Sequence, residues 1–180
     1  MMDERHWKIL AQENIYRNER GIRLEKQKVQ LPSGVILTDY YRIIMRNFVT
    51  MIIQDEKHDF LCIKQYKHGV GKVALTLPGG LMEEGEGPVE TAARELLEET
   101  GYQCPDLRYK GKYVLNGNQH VCYSHIVAGY GAKMISEAIE PDQEDGQICF
   151  LSKEKIREAF FANDFPIISH ALAIGIILAD

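Results

Sequence analysis

Cysteine, proline and tryptophan are sparse in this chain: four, six and one among 180 residues, with no two cysteines in C-x-x-C spacing. Cys62, Cys104, Cys122 and Cys149 therefore read as neither a zinc site nor a disulfide framework. Three of the four lie in apolar, strand-like runs, where a free cysteine behaves as a small hydrophobe. Basic charge is short as well, since 21 Lys and Arg against 26 Asp and Glu leave a formal net charge of −5. That balance argues against nucleic acid as a partner, because a general nucleic-acid binder needs a basic face to neutralise phosphates. It leaves open a small phosphate compound held by a few local cations or by metal ions. Long apolar runs are missing too. The most apolar stretch, Ile167 to Ala179, contains Ser169, His170 and Gly175 and is too short to cross a bilayer. The charged opening MMDERHWK lacks the apolar segment of a signal peptide, so a cytoplasmic location without a membrane partner is expected.

What is present is an ordinary globular composition, 45% hydrophobic and 26% charged, long enough to bury a core unaided. Residues 21–31 alternate apolar and polar as a half-buried strand does, Pro32-Ser33-Gly34 makes a turn, and Val35 to Ile44 returns. Further strands are expected at Phe48–Gln54, Phe60–Tyr66, Val73–Leu77, Leu107–Leu115, Val121–Gly129 and Gln147–Leu151. A long helix is expected from Pro88 to Thr100, with Pro88 in its first turn and Gly101 as a left-handed C-terminal cap. Ser152 suits the N-cap of a second helix through about Ala162, and Pro166 opens a third. Mixed strands and helices with short connections imply an α+β fold, an α/β/α sandwich. Residues 1–45 look like a separable strand unit ahead of a larger domain at 46–180.

Seven glutamates and one basic residue, Arg94, lie between Glu83 and Glu99. At about 100° per residue, Val89, Ala92, Ala93, Leu96 and Leu97 fall on one arc of the helix and are expected in the core. The opposite arc gathers Glu95, Glu98 and Glu99 around Arg94. Glu98 and Glu99 stand in the last turn, where the helix dipole disfavours each by roughly 0.3–1 kcal/mol, and like charges at i, i+4 add a similar penalty. A bound divalent cation reverses both signs. Oxygen-only donors point to Mg²⁺, or Mn²⁺ in its place, rather than zinc. In front of the helix, Gly79-Gly80 lets the backbone turn sharply and brings a carbonyl close to a ligand.

The same stretch resembles the signature of the Nudix family, G-x5-E-x7-R-E-U-x-E-E-x-G-U with U a large aliphatic. Gly80, Glu86, Arg94, Glu95, Leu96, Glu98, Glu99 and Gly101 match in type and spacing, and only Tyr102 differs in kind at the last position. The resemblance implies a Nudix fold with a mixed central sheet, and metal-dependent cleavage of a nucleoside diphosphate linked to another group. It further implies Glu95 and Glu99 as main metal ligands, Glu98 sharing a metal or accepting a proton, and the Gly79 carbonyl as a further ligand. Arg94 would hold the carboxylates in place, and Glu86 would brace the turn into the helix.

Outside that signature the chain resembles the ADP-ribose pyrophosphatase and nucleoside-diphosphate-sugar branch. The features are the N-terminal antiparallel strand unit, Gln65-Tyr66-Lys67 before the signature and the acidic loop Glu140 to Asp145 after it. In that branch the loop supplies a catalytic base or an extra metal ligand, with Asp142 and Glu144 at the matching positions and the longer Glu144 favoured. Arg46 and Lys67 match phosphate-binding positions and Phe48 a base-stacking one, although an arginine at a strand end is more often solvated and a phenylalanine in an apolar run more often core. The strand unit commonly exchanges between subunits there, which implies a homodimer.

Three departures bear on substrate: Leu77-Pro78-Gly79-Gly80 in place of Leu-Pro-Ala-Gly, no proline in Leu115 to Asn118, and Lys67 in place of arginine. The implied reaction is hydrolysis of a nucleoside diphosphate sugar, ADP-ribose favoured. The alternatives are a hydrolase of dinucleoside polyphosphates or non-canonical nucleotides, and a non-catalytic nucleotide sensor.

Overall fold

The computed structural model describes residues 5–138 and 146–179. The chain forms two compact units, one running to Arg46 with Val114–Tyr123 added, the other made of Asn47–Tyr113 and Ser124 onward.

In the first unit β1 (Lys8–Arg17), β2 (Arg23–Gln30) and β3 (Ile36–Ile44) form an antiparallel meander. Residues 120–121, at the start of β9 (His120–Met134), run parallel to the end of β3, pairing Ile43 with His120 and Ile44 with Val121. The turn at Pro32-Ser33-Gly34 is as the sequence implies, closed by Leu31 N–H to Val35 O at 2.9 Å with Gly34 at φ 86°. The strand β1 is not anticipated by the sequence pattern. Every one of its ten residues is exposed, so no alternation marks it.

The second unit is a mixed sheet between helices. Its strands are β4 (Phe48–Asp55), β5 (Phe60–Lys67), β6 (Lys72–Thr76), β7 (Tyr102–Gln103), β8 (Asp106–Asn116) as far as Tyr113, β10 (Gln147–Leu151) and β9 from Ser124 on. Strand β9 lies parallel to β4, β4 antiparallel to β5, and β5 antiparallel to both β6 and β10. Successive side chains on a strand point to opposite faces. Accordingly Val49, Met51, Ile53, Leu61 and Val127 pack with Ala92 and Leu96 of α1 (Pro88–Thr100). Ile52, Phe60, Cys62, Ile126 and Ala128 pack on the other face, with Ile156 of α2 (Lys153–Phe161) and Ala173, Ile174 and Ile177 of α3 (Ile168–Ala179). This is the α/β/α sandwich expected. Among the described residues no helix is long and apolar enough to cross a membrane. All four cysteines are free.

The helix α1 has the expected ends: Pro88 in the first turn, and Gly101 at φ 72° donating to Leu97 O. Its rotation differs from the expected one. Val89 is 37% exposed and Ala93 is exposed, whereas Thr91, Ala92, Leu96 and Thr100 are buried. Both threonines satisfy their hydroxyls locally, Thr91 on Gly87 O at 3.1 Å and Glu86 Oε2 at 2.8 Å, Thr100 on Leu96 O. A polar side chain with its hydrogen bond made can be buried, so the threonines take the places allotted to Val89 and Ala93.

Candidate active site

The rotation of α1 carries Glu95 and Glu99 onto the flank of its packed face, where they meet the backbone of the Gly79-Gly80 segment. That segment extends along β4, with Met51 N–H donating to Pro78 O at 2.8 Å and Val49 N–H to Gly80 O at 2.9 Å. In extended chain the N–H and C=O of one residue share a side, opposite to those of its neighbours. Gly79 is therefore turned from β4, and its N–H donates to Glu99 Oε2 at 3.3 Å. The Gly79 carbonyl faces the same way. Neither glycine can be replaced without displacement: a β-carbon on Gly79 would fall on Val49 O, and one on Gly80 would fall on the Glu95 carboxylate.

Arg94 organises the remaining carboxylates. Its Nε and Nη2 grip Glu86 by both oxygens at 2.9 Å, its Nη1 donates to Glu95 Oε1 and Glu98 Oε2 at 2.9 Å, and Nη2 also reaches Leu81 O at 3.2 Å. Glu86 also accepts from Glu83 N–H at 3.1 Å and the Thr91 hydroxyl at 2.8 Å. Held by Arg94 and these donors, its carboxyl drops to about 2. The Arg94 guanidinium is pushed up in turn, chiefly by Glu86. Glu95 goes the opposite way: burial raises its pKa against the pull of Arg94, and its side chain is only 13% exposed. Glu99 has a further partner in the glycine segment. Its carboxylate accepts there from the Gly79 N–H at 3.3 Å.

Glu86, Glu95 and Glu98 thus stand beside a single guanidinium, and Glu99 accepts from the Gly79 N–H. The donors are all oxygen, which suits Mg²⁺ or Mn²⁺. Among the described residues no three acidic, histidine or cysteine side chains form a ready cage for a metal, because Arg94 draws three of the glutamates to itself. That is compatible with Mg²⁺, which keeps several waters and takes one or two carboxylates. The half-buried, charge-disfavoured Glu95 is the observation that fits a cation best.

The other sequence candidates are distributed as follows. Phe48 is half-buried at the start of β4 and bridges to Leu81, next to the glycine segment. Lys67 closes β5, and its charge acts on His170 of α3. The His170 Nδ1 accepts from Leu77 N–H at 2.8 Å, which anchors the residue before Pro78-Gly79-Gly80. Arg46 belongs to the first unit, where its side chain lies against Gly21. Asp142 and Glu144 lie outside the described residues. Sequence reasoning missed His170, which had no local signal, and the α1 face holds a second histidine, His125. The latter is Cα partner to Val49 and lies 3.3 Å from the Tyr109 hydroxyl, buried on the α1 face.

The pattern of the NUDIX domain matches residues 45–170. The chain is 26% identical over 140 residues to the methanol dehydrogenase activator of Bacillus methanolicus, covering 76% of this chain and 74% of the relative. It is 31% identical over 102 residues to the ADP-ribose pyrophosphatase of Bacillus subtilis, covering 56% of this chain and 53% of that one. A solved structure described as an ADP compounds hydrolase superposes with a TM-score of 0.82 at 22% identity, covering 95% of this chain and 91% of the other. The chain belongs to the NUDIX domain family. Hydrolases of this family generally use divalent cations.

Proposed function

We propose that the protein hydrolyses the pyrophosphate bond of a nucleoside diphosphate sugar, with ADP-ribose favoured, in an Mg²⁺-dependent reaction giving a nucleoside monophosphate and a sugar phosphate. The observation that supports this reading is the approach of Glu99 and Glu95 to Gly79-Gly80, which brings two carboxylates to one short backbone segment. The likeness to an ADP-ribose pyrophosphatase supports the substrate class.

Glu95, Glu99, Glu98 and the Gly79 carbonyl would hold the cation, with Mn²⁺ able to replace Mg²⁺. Bound there, the ion neutralises phosphate charge and makes water a better nucleophile. The chain's own groups do the rest. Arg94, locked by Glu86, sets the direction of Glu95 and Glu98 and is a positioning residue. Water attacks one phosphorus of the pyrophosphate, the bridging P–O bond breaks, and the released oxygen leaves on the other phosphate. Glu144 takes the proton of that water, with Asp142 as the neighbouring alternative. Lys67 and Arg46 neutralise phosphate oxygens and Phe48 stacks on the base. Two copies would pair through the strand unit, whose β1 exposes Ile9, Leu10, Ile15 and Tyr16 along one edge strand.

Product release is measured on ADP-ribose, GDP-mannose, a diadenosine polyphosphate and nucleoside triphosphates, with Mg²⁺ and with chelator. Turnover of ADP-ribose only with Mg²⁺ is expected. Preference for the polyphosphates would move the substrate class, and no turnover of any compound would overturn the hydrolase reading.

A further inference from the structure

On the face of the second unit opposite α1, β4, β5 and β9 meet the C-terminal turns of α3 around an open cavity of about 320 Å³. Its floor is apolar, made of Ile52, Phe60, Ala128 and Ile177. Its rim is polar and basic: Lys110 of β8, Lys153 at the start of α2, and the side chains of Gln54, His58 and Tyr130. Among the described residues no Asp or Glu lines it, although acids outnumber bases in the chain. Neither Lys110 nor Lys153 makes an ion pair with a described residue. The carboxylate of Glu154, next to Lys153, is held chiefly by its own backbone and by Ser152, with the charge of Lys153 a smaller influence.

An apolar recess of this size with a few polar groups at its mouth has the anatomy of a small-ligand site. The basic rim gives the sign of the ligand's charge, and the floor gives the nature of its body. His58 strengthens the point. It adopts φ 66°, uncommon for a residue with a β-carbon, in a turn where Asp55 Oδ1 accepts from Lys57 and Asp59 N–H at 2.8 and 2.9 Å and Gln54 Nε2 donates to His58 O. The turn thereby fixes the backbone of His58 at the rim.

We infer that this cavity is a second binding site, separate from the carboxylate cluster on the α1 face, for a small carboxylate with an apolar aromatic or short-chain body. The apolar part lies on Ile52, Phe60, Ala128 and Ile177, and the carboxylate sits between Lys110 and Lys153. The inference is independent of which pyrophosphate the α1 face cleaves.

Isothermal titration with 2-naphthoate tests it, with uncharged 2-naphthalenemethanol as the matched neutral probe. Wild type should bind one equivalent of 2-naphthoate and bind the alcohol at least about tenfold more weakly. The Lys110→Gln, Lys153→Gln double variant removes only exposed side chains, so its far-UV spectrum should match wild type, and its affinity for 2-naphthoate should fall by about tenfold or more. Lys155→Gln, elsewhere on α2, should leave binding unchanged. No binding of 2-naphthoate by wild type would overturn the site. Equal binding of acid and alcohol, or affinity insensitive to the double change, would overturn it as well and place the probe on another apolar surface, such as exposed β1.

Discussion

The Glu95 carboxylate occupies the space that a side chain at Gly80 would need. The relationship couples a backbone position to a charged one, and it separates two adjacent glycines that look alike in sequence. A β-carbon at Gly79 strikes the Val49 carbonyl, which is fixed in β4, whereas one at Gly80 strikes the end of a side chain. Gly79→Ala should therefore damage the fold, and Gly80→Ala should spare the fold but move Glu95. Displacing a reacting group by about 1 Å can cost about a hundredfold in rate. A loss of that order in kcat on ADP-ribose, with cooperative thermal unfolding retained, is the expected result for Gly80→Ala. Turnover near wild type would mean that the placement of Glu95 does not matter.

Arg94→Lys keeps the charge and changes the geometry. One ammonium cannot hold Glu86 by both oxygens and also reach Glu95, Glu98 and Leu81 O, as the guanidinium does. The variant should lose on the order of 1–2 kcal/mol in urea unfolding and need more Mg²⁺ for half-maximal rate. Glu98→Gln should raise the Mg²⁺ requirement with much less change in stability, since Glu86 still holds the arginine. Equal stability losses from the two would assign Arg94 a structural role alone.

Much of this geometry was legible, and the limits have physical causes. The helix ends at Pro88 and Gly101 were readable because each depends on the backbone preference of one residue. The phase of α1 was not, because buried Thr91 and Thr100 satisfy their hydroxyls inside the helix and apolar periodicity counts them as polar. Strand β1 left no pattern because none of its side chains is buried. The contacts of Glu99 with Gly79 and of His170 with Leu77 span 20 and 93 residues, and nothing local encodes them.

Glu99→Gln tests the ligand assignment with the least disturbance. An amide oxygen can still accept from Gly79 N–H, so the crossing of helix and segment should survive and the unfolding midpoint should hardly move. The charge is lost, and with it at least about tenfold in apparent Mg²⁺ affinity. The variant is assayed across Mg²⁺ concentrations beside Glu144→Gln and Asp142→Asn. A base at 144 predicts a lower maximal rate for Glu144→Gln with its Mg²⁺ dependence intact, and Asp142→Asn close to wild type. The reverse pattern moves the base to Asp142, and a wild-type Mg²⁺ curve for Glu99→Gln removes Glu99 from the ligands.

His170 supplies a pH dependence with a definite sign. Burial first, and the charge of Lys67 second, hold its imidazole down to about 4 from an ordinary 6.5. With Nδ1 accepting from Leu77 N–H, the native ring is neutral and carries its proton on Nε2. The unfolded chain binds that proton more readily, so the contribution is complete above pH 6.5 and is lost as pH falls through 4. His170→Asn keeps an acceptor near the Nδ1 position and does not titrate. Between pH 7 and pH 4 the wild type should lose on the order of 2 kcal/mol of unfolding free energy relative to His170→Asn, measured by urea titration at each pH. Parallel curves for the two proteins would show that this imidazole is not held neutral. Because Leu77 leads directly into Pro78-Gly79-Gly80, the same acid range should also lower the activity of the wild type more steeply than that of the variant.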